Sequence, residues 1–251
     1  MGNNNAEDTT KYFLVVVEGP TDRTTFENAL RLLIANRFSN KDLEIDVVRG
    51  DTLTMDEKGK IIQYNKEEET VSKQIGKAIK KLHLKESDIV AIAMVTDLDA
   101  CFAEDSFYEE DENHKKAFYD EESNKCLRIN ISELKTIRQS KFNVVRAMHN
   151  KNYISINGKQ IKYRLFYLNV DLEWAFYRLL NCIKIQKIDL SNDFDTRYGD
   201  NIEEFERFIE SLPSIGGNYE ESWEPIVKRT LAPLERITNI RYLIEWIKSF
   251  E

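Results

Sequence analysis

The chain has 251 residues, of which 41% are hydrophobic and 32% charged, and a net charge of -8. That describes an ordinary globular protein of one large domain, or one domain with a sizeable appendage, and with only 9 Gly and 4 Pro it argues against long disordered linkers. No apolar run approaches the ~20 residues of a membrane span, and the net charge argues against nucleic-acid binding by the whole surface.

Three cysteines, Cys101, Cys126 and Cys182, are widely spaced and odd in number. They form neither a zinc pattern nor a disulfide framework, so a reducing cytoplasm is the expected compartment. The first eight residues are polar and lack the apolar core of a signal peptide. Residues 1–10 read as disordered, and no membrane contact is expected.

The first strand is Phe13-Leu14-Val15-Val16-Val17, a buried apolar run that ends at Glu18 and is broken by Gly19 and Pro20. Thr21 and Asp22 offer cap and first-turn chemistry for a helix. Phe26, Ala29, Leu30, Leu33 and Ile34 continue that helix at its spacing to ~37. Leu43, Ile45 and Val47 alternate with polar residues, as in a half-exposed or near-edge strand. Residues 51–65 are polar, with a turn expected at Lys58-Gly59-Lys60. Val71, Ile75, Ala78, Ile79 and Leu82 mark a second helix. A third strand, ~89–96, runs into Asp97-Leu98-Asp99. Side chains two apart on an extended backbone share a face, so Asp97 and Asp99 are expected side by side with Leu98 turned away. Strand, helix, strand, helix, strand implies a parallel α/β sheet. Ligands of such sheets sit beyond the strand C-termini.

Residues ~100–125 are acidic and weakly patterned. They read as a plain solvated loop, as a divalent-ion site, or as a nucleic-acid mimic covering the basic stretch that follows. From Asp97 to Glu122 the local balance is -9; from Leu127 to Leu168 it is +8. Within the basic stretch, Arg138, Lys141, Arg146, Lys159, Lys162 and Arg164 are the candidates for a phosphate-backbone track, and Tyr153, Tyr163, Phe166 and Tyr167 either stack bases or fill the core. Leu134, Ile137, Val144, Val145 and Met148 fit a helix over ~131–149. Asn157-Gly158 between alternating runs is a strong hairpin signal. The strand Tyr163–Leu168 leads to Asn169-Val170-Asp171-Leu172-Glu173. A helix starts there, with Leu172, Phe176, Leu179 and Leu180 inward. Asp171 is a natural N-cap and Glu173 a first-turn residue; the alternative is that Glu173 completes a metal site. Beyond ~189 the chain reads as helical, with helices around Phe205, around Trp223, and from Pro233 through Ile247. His83, His114 and His149 sit in no constellation.

Carboxylates that converge without basic partners repel, and cations must offset that repulsion. Hard oxygen ligands suit Mg²⁺ or Mn²⁺, and two such ions can clamp the attacking and leaving oxygens of a phosphodiester. Glu18, Asp97 and Asp99 are the expected ion ligands and catalytic residues, with Asp22 supporting the second ion.

Glu18-Gly19-x-x-Asp22, followed about 75 residues later by Asp97-x-Asp99, resembles the Toprim domain, most of all that of the overcoming-lysogenization-defect (OLD) and phage-defence nucleases. The resemblance covers residues ~11–100 well and ~163–180 weakly. It implies a Toprim-like (Rossmann-like), mostly parallel sheet flanked by helices; the residue pattern outside it adds an acidic stretch, a hairpin and a basic helix as an insertion at ~100–162 within a catalytic domain of 11–182, and a helical appendage at 183–251. The resemblance also implies further acids near the metals and a metal-dependent endonuclease acting on DNA or RNA, tRNA included, as a defence or toxin-like effector. Such relatives work beside an ABC-type ATPase. This chain has no Gly-x-x-x-x-Gly-Lys-Ser/Thr loop, so that ATPase would be a separate subunit; a homodimer is also open. Two rival readings are a catalytically silent adaptor and a primase-like nucleotidyl transferase. The missing zinc module and polymerase insert weigh against the transferase.

Overall fold

A computed structural model describes residues 10–47, 53–54 and 60–250. The expectations of N-terminal disorder and of a turn at Lys58-Gly59 fall on residues outside that set. The core elements are strands β1 (Lys11–Val17), β2 (Lys41–Val47) and β3 (Ile89–Asp97) with helices α1 (Pro20–Arg37) and α2 (Glu67–Lys81) between them. Three short strands follow, β4 (Tyr108–Glu110), β5 (Phe118–Asp120) and β6 (Lys125–Arg128), then helix α3 (Ile131–Met148) and the hairpin β7 (Tyr153–Ile156) and β8 (Lys159–Leu168). Helices α4 (Leu172–Tyr177), α5 (Lys184–Tyr198), α6 (Ile202–Ser211), α7 (Tyr219–Val227) and α8 (Arg241–Lys248) complete the chain.

The main sheet has the order β2-β1-β3-β8-β7, with β7 antiparallel and every other neighbour parallel. The fold is therefore α/β and Rossmann-like, with a mostly parallel sheet between helices. Phe13 to Val17 are all buried, on both faces of β1, as a sheet covered on both sides requires. The chain leaves β1 toward β2 and returns to place β3 on the other side of β1. That reversal makes the C-terminal ends of β1 and β3 the crevice where such sheets bind ligands. The hairpin forms as the sequence indicates: Asn157 and Gly158 have φ of 49° and 83°, the left-handed pair a tight I′ turn needs.

The acidic stretch after β3 is more than a loop. It folds as a second sheet, β4-β6-β5, over a separate apolar cluster that includes Phe107, Tyr108, Tyr119, Cys126, Leu134 and Trp174. Strands of three and four residues are too short to show alternation, which is why the sequence hides them. The helix after Asp171 stops at Tyr177, where Arg178 turns left-handed (φ 59°), and Leu179 is consequently exposed instead of inward. Residues 233–240 are not helical. Thr238 bridges the end of β8 at Leu168, while Asn169 Nδ2 donates to the carbonyls of Pro233 (3.1 Å) and Glu235 (2.6 Å), and Asn239 Oδ1 accepts from the Tyr167 N–H (2.7 Å). Buried amide side chains thus pair backbone groups both of this segment and of the adjoining end of β8. Phe194, Phe205, Trp223 and Ile247 belong to the same hydrophobic cluster as β1 and β3, so the core is continuous across the boundary expected at 183. Among the described residues no helix is long and apolar enough to cross a membrane.

Candidate active site

Glu18 follows directly on β1. Its Oε1 accepts a short hydrogen bond from the Thr96 hydroxyl on β3, and its Oε2 lies 3.4 Å from Lys141 Nζ. Asp22, in the first turn of α1, turns back to accept the Gly19 N–H at 2.8 Å. A Cβ at position 19 would stand 3.2 Å from that carboxylate oxygen, so the glycine permits the close approach. Burial pushes the Asp22 carboxyl up to about 6, against the opposing pull of the Gly19 N–H and of Lys187.

Asp97 ends β3 and Asp99 lies two residues on, but the two do not stand side by side. Asp99 and Ala100 are left-handed (φ 51° and 53°), as is Val170 opposite them (φ 61°). The turn is held by hydrogen bonds from Leu98 N–H to Leu168 O and from Asp99 N–H to Val170 O, both 2.9 Å. A β-branched residue in this region is strained, and the paired strand ends supply the constraint. The turn ends the extended geometry on which the shared-face expectation rests. Asp99 swings toward α3, where Lys141 Nζ lies 2.7 Å and Arg138 Nη1 2.9 Å from Oδ2. Burial would raise its pKa, but the Arg138 guanidinium and Lys141 ammonium outweigh burial and hold it below the usual carboxylate range.

Asp97 lies among the other acids. Its carboxyl is raised well above the ordinary value by burial first, and then by Asp22, Glu18, Asp171 and Asp99 in that order. Oδ1 is sealed from solvent and has no hydrogen-bond partner. Beyond it, Asp171 caps α4 through the Trp174 N–H (2.9 Å), and Lys187 of α5 reaches both Asp171 (3.1 Å) and Glu173 (2.5 Å). Glu173 is thus both a first-turn residue and a buried acid of the cluster. Burial and the Asp171 charge push it up to about 7, and its Oε1 is likewise buried without a partner.

The structure therefore gathers Glu18, Asp22, Asp97 and Asp99 at the β1/β3 crevice and brings Asp171 and Glu173 to its edge. The basic track does not form beside them. Arg138 and Lys141 point inward to the acids, and Lys141 is fully buried, so neither is a surface phosphate contact. Lys162 pairs in register with Ala91, six residues before Asp97, about 20 Å down the sheet at the rise of a strand. Lys159 donates to the Glu86 carbonyl (2.9 Å) at that far end. Arg164 lies over the Tyr219 and Trp246 rings and Arg146 over Phe142. Tyr163, Phe166 and Tyr167 are core residues; Tyr153 is exposed. Thr96 and Lys187 belong to the site and carry no motif. Thr96 is marked only as a lone hydroxyl in an apolar strand, and Lys187 has no local signal, since it reaches the acids through the packing of α5.

For a hard divalent cation the donor set fits in kind: carboxylate oxygens, two of them buried without partners. As they stand, no three carboxylate, histidine or cysteine groups among the described residues surround one point, and Lys141 together with Arg138 already offsets the charges of Glu18 and Asp99. The position that lacks a compensating charge is Asp97. Comparison of the chain with protein-family models, with curated proteins and with solved structures finds no match.

Proposed function

We propose that this chain is a divalent-metal-dependent endonuclease with a Toprim-like catalytic domain of the OLD type. One observation carries the reading: an Asp97 carboxylate with a buried, unpartnered oxygen, surrounded by Glu18, Asp22 and Asp171 at the switch point of a parallel sheet. Repulsion of this kind is offset by protons or by metal. Glu18, Asp97 and Asp99 would hold Mg²⁺ or Mn²⁺, in a two-ion arrangement supported by Asp22 and Glu173. When bound, such ions supply Lewis acidity toward a phosphodiester and lower the pKa of water. The chain's own residues fix the acids: Thr96 orients Glu18, Arg138 and Lys141 keep Asp99 ionised, and Lys187 positions Asp171 and Glu173. DNA and RNA, tRNA included, are the candidate substrates. The proposed setting is a cytoplasmic defence or toxin-like effector, restrained by an ABC-type ATPase on a separate subunit. The test is cleavage of plasmid DNA and of tRNA in Mg²⁺ or Mn²⁺, with loss in EDTA and in Asp97→Asn. Undiminished cutting by Asp97→Asn overturns the assignment.

The pairing of Lys141 with Glu18 and Asp99 favours a second reading, a catalytically silent adaptor whose acids serve as structural ion pairs. Calorimetric titration with Mn²⁺ separates the two, because the adaptor shows no binding that depends on Asp97.

A further inference from the structure

Strand β7 ends the main sheet, and α2 packs on it. A groove of about 1030 Å³ runs between the two, lined by Lys73, Gly76, Lys77 and Lys80 of the helix and by Ser155 and Ile156 of the strand. The Tyr163 N–H donates to the Asn152 carbonyl at 2.9 Å, in register with the β7–β8 pairing. Bonded and unbonded pairs alternate along antiparallel strands. Ile154 and Ile156 therefore turn their backbone groups to β8, and Tyr153 and Ser155 turn theirs outward. Among the described residues no other element takes those outward groups. Gly76 forms the floor. Outside its own helix, a Cβ there would meet only the Ile156 Cγ2, at 3.5 Å, an ordinary contact. Packing thus does not demand glycine at this mid-helix position, where it costs about 1 kcal/mol against alanine; its effect is to keep the groove open. The charge is one-sided. Glu68 is held by Lys151 (2.6 Å), Glu69 by Lys66 (3.1 Å) and Lys73 (2.5 Å), and Glu86 by Asn157 (2.5 Å). The groove's acids are thereby taken. Lys80, exposed and in no ion pair among the described residues, adds positive charge beside Lys77.

We infer that this edge takes an extended acidic segment of a partner protein, which joins the sheet as a sixth strand beside β7. Tyr153 and Ser155 offer its backbone their outward N–H and carbonyl groups. Alternate side chains of the added strand fall on the face of Ile154 and Ile156, where α2 lies; acids at those positions meet Lys77 and Lys80. The side chains between them fall beside Tyr153, which is 52% exposed, and suit apolar residues. A second copy of this chain fits worse, because pairing β7 with β7 sets two rows of α2 lysines against each other. A nucleic acid would use the lysines and leave the strand groups unpaired, so the edge favours a polypeptide. The inference is independent of the nuclease reading.

The experiment titrates the full chain with a seven-residue peptide of alternating valine and glutamate, with its glutamine counterpart, and with a hexathymidylate. It is followed by amide chemical shifts and amide hydrogen exchange. Expected is saturable binding of the glutamate peptide, with slowed exchange at Tyr153 and Ser155, and binding of the glutamine peptide about tenfold weaker. Ser155→Pro removes one outward N–H at a position an edge strand tolerates and should weaken binding about tenfold. Lys80→Glu should weaken the glutamate peptide by at least as much and leave the glutamine peptide unchanged. Gly76→Leu fills the floor and favours the helix; it should abolish binding with no fall in melting temperature, which answers the question even where Ser155→Pro fails to fold. Absence of saturable binding by the glutamate peptide overturns the proposal, and so does equal binding of the two peptides or unchanged exchange at Ser155 at saturation. A hexathymidylate that binds this groove in place of the peptide, or a dimer of the free protein that Ser155→Pro abolishes, overturns the assigned occupant. The readout needs neither metal nor cleavage.

Discussion

The acid cluster has two flanks, and they handle charge differently. On the α3 flank two cations, Arg138 and Lys141, serve Asp99, and Lys141 also reaches Glu18. On the α5 flank one cation, Lys187, serves both Asp171 and Glu173. The acids follow suit: Asp99 is held below the usual range, while Glu173 is pushed up to about 7 and Asp22 to about 6. Carboxylates at the rim of one sheet are therefore held firmly ionised on one side and shifted toward protonation on the other. Asp97 stands between them, raised by both groups of neighbours. The cluster has room for added positive charge at Asp97 and on the α5 flank.

The largest effect should come from breaking the better-compensated flank. Lys141 is fully buried, and Lys141→Met removes the buried cation that Glu18 and Asp99 share. Loss of one partner of a buried pair costs about 3–5 kcal/mol. Urea denaturation should show it, and Mn²⁺ should restore part of the loss if a divalent cation takes up the same carboxylates. Lys187→Met should cost less, about 1–3 kcal/mol, because Lys187 is partly solvated and Glu173 can take a proton instead. Its cost should therefore shrink below pH 7, whereas that of Lys141→Met should not. Equal pH dependence for the two variants would remove the distinction between the flanks.

The same contrast fixes the pH response of the metal-free protein. Asp22 and Glu173 have folded-state values of about 6 and about 7 against ordinary values of 3.8 and 4.5. Between those limits the folded chain binds more protons than the unfolded one, so stability is greatest at the acid end and falls as pH rises. Each group changes it by at most about 1.4 kcal/mol per pH unit. Thermal unfolding across pH 4–7.5 in EDTA should show a melting temperature that falls with pH. Mg²⁺ should flatten the upper part of the curve, and so should Asp97→Asn. A melting temperature that climbs steadily from pH 4 to 7 in EDTA would mean that the α5 flank is as well compensated as the other.

Much of this arrangement is legible in the chain. Val15-Val16-Val17-Glu18 and Val95-Thr96-Asp97 announce buried strands that end in acids, and Asn157-Gly158 announces its own turn. What stays hidden follows from geometry that no local pattern encodes. Asp97 and Asp99 look like a tandem pair because spacing assumes extended backbone, and the left-handed turn at Asp99 is imposed by hydrogen bonds to the end of β8, some 70 residues later. Lys141 and Arg138 look like a phosphate track because charge in sequence says nothing of direction. Their side of α3 faces the crevice, so the basic residues nearest the acids are spent on them. Lys187 is invisible for the same reason: its helix reaches the site only by packing against α1.

The smallest effect tests whether Glu18 belongs to the α3 flank through Lys141 or through β3. Thr96 is buried, and its hydroxyl donates to Glu18 Oε1 while Lys141 approaches Oε2. Thr96→Val keeps shape and strand propensity and removes only the donor. The carboxylate then loses a hydrogen bond to a charged group but keeps its cation, so the expected cost is about 1–2 kcal/mol, below that of Lys187→Met at neutral pH. In the double variant Thr96→Val/Lys141→Met the cost should exceed the sum of the singles, because the remaining contact carries more when its companion is gone. A double variant no worse than the sum would show that the two contacts hold Glu18 independently, and would leave the Thr96 hydroxyl a local feature of β3 instead of a part of the flank.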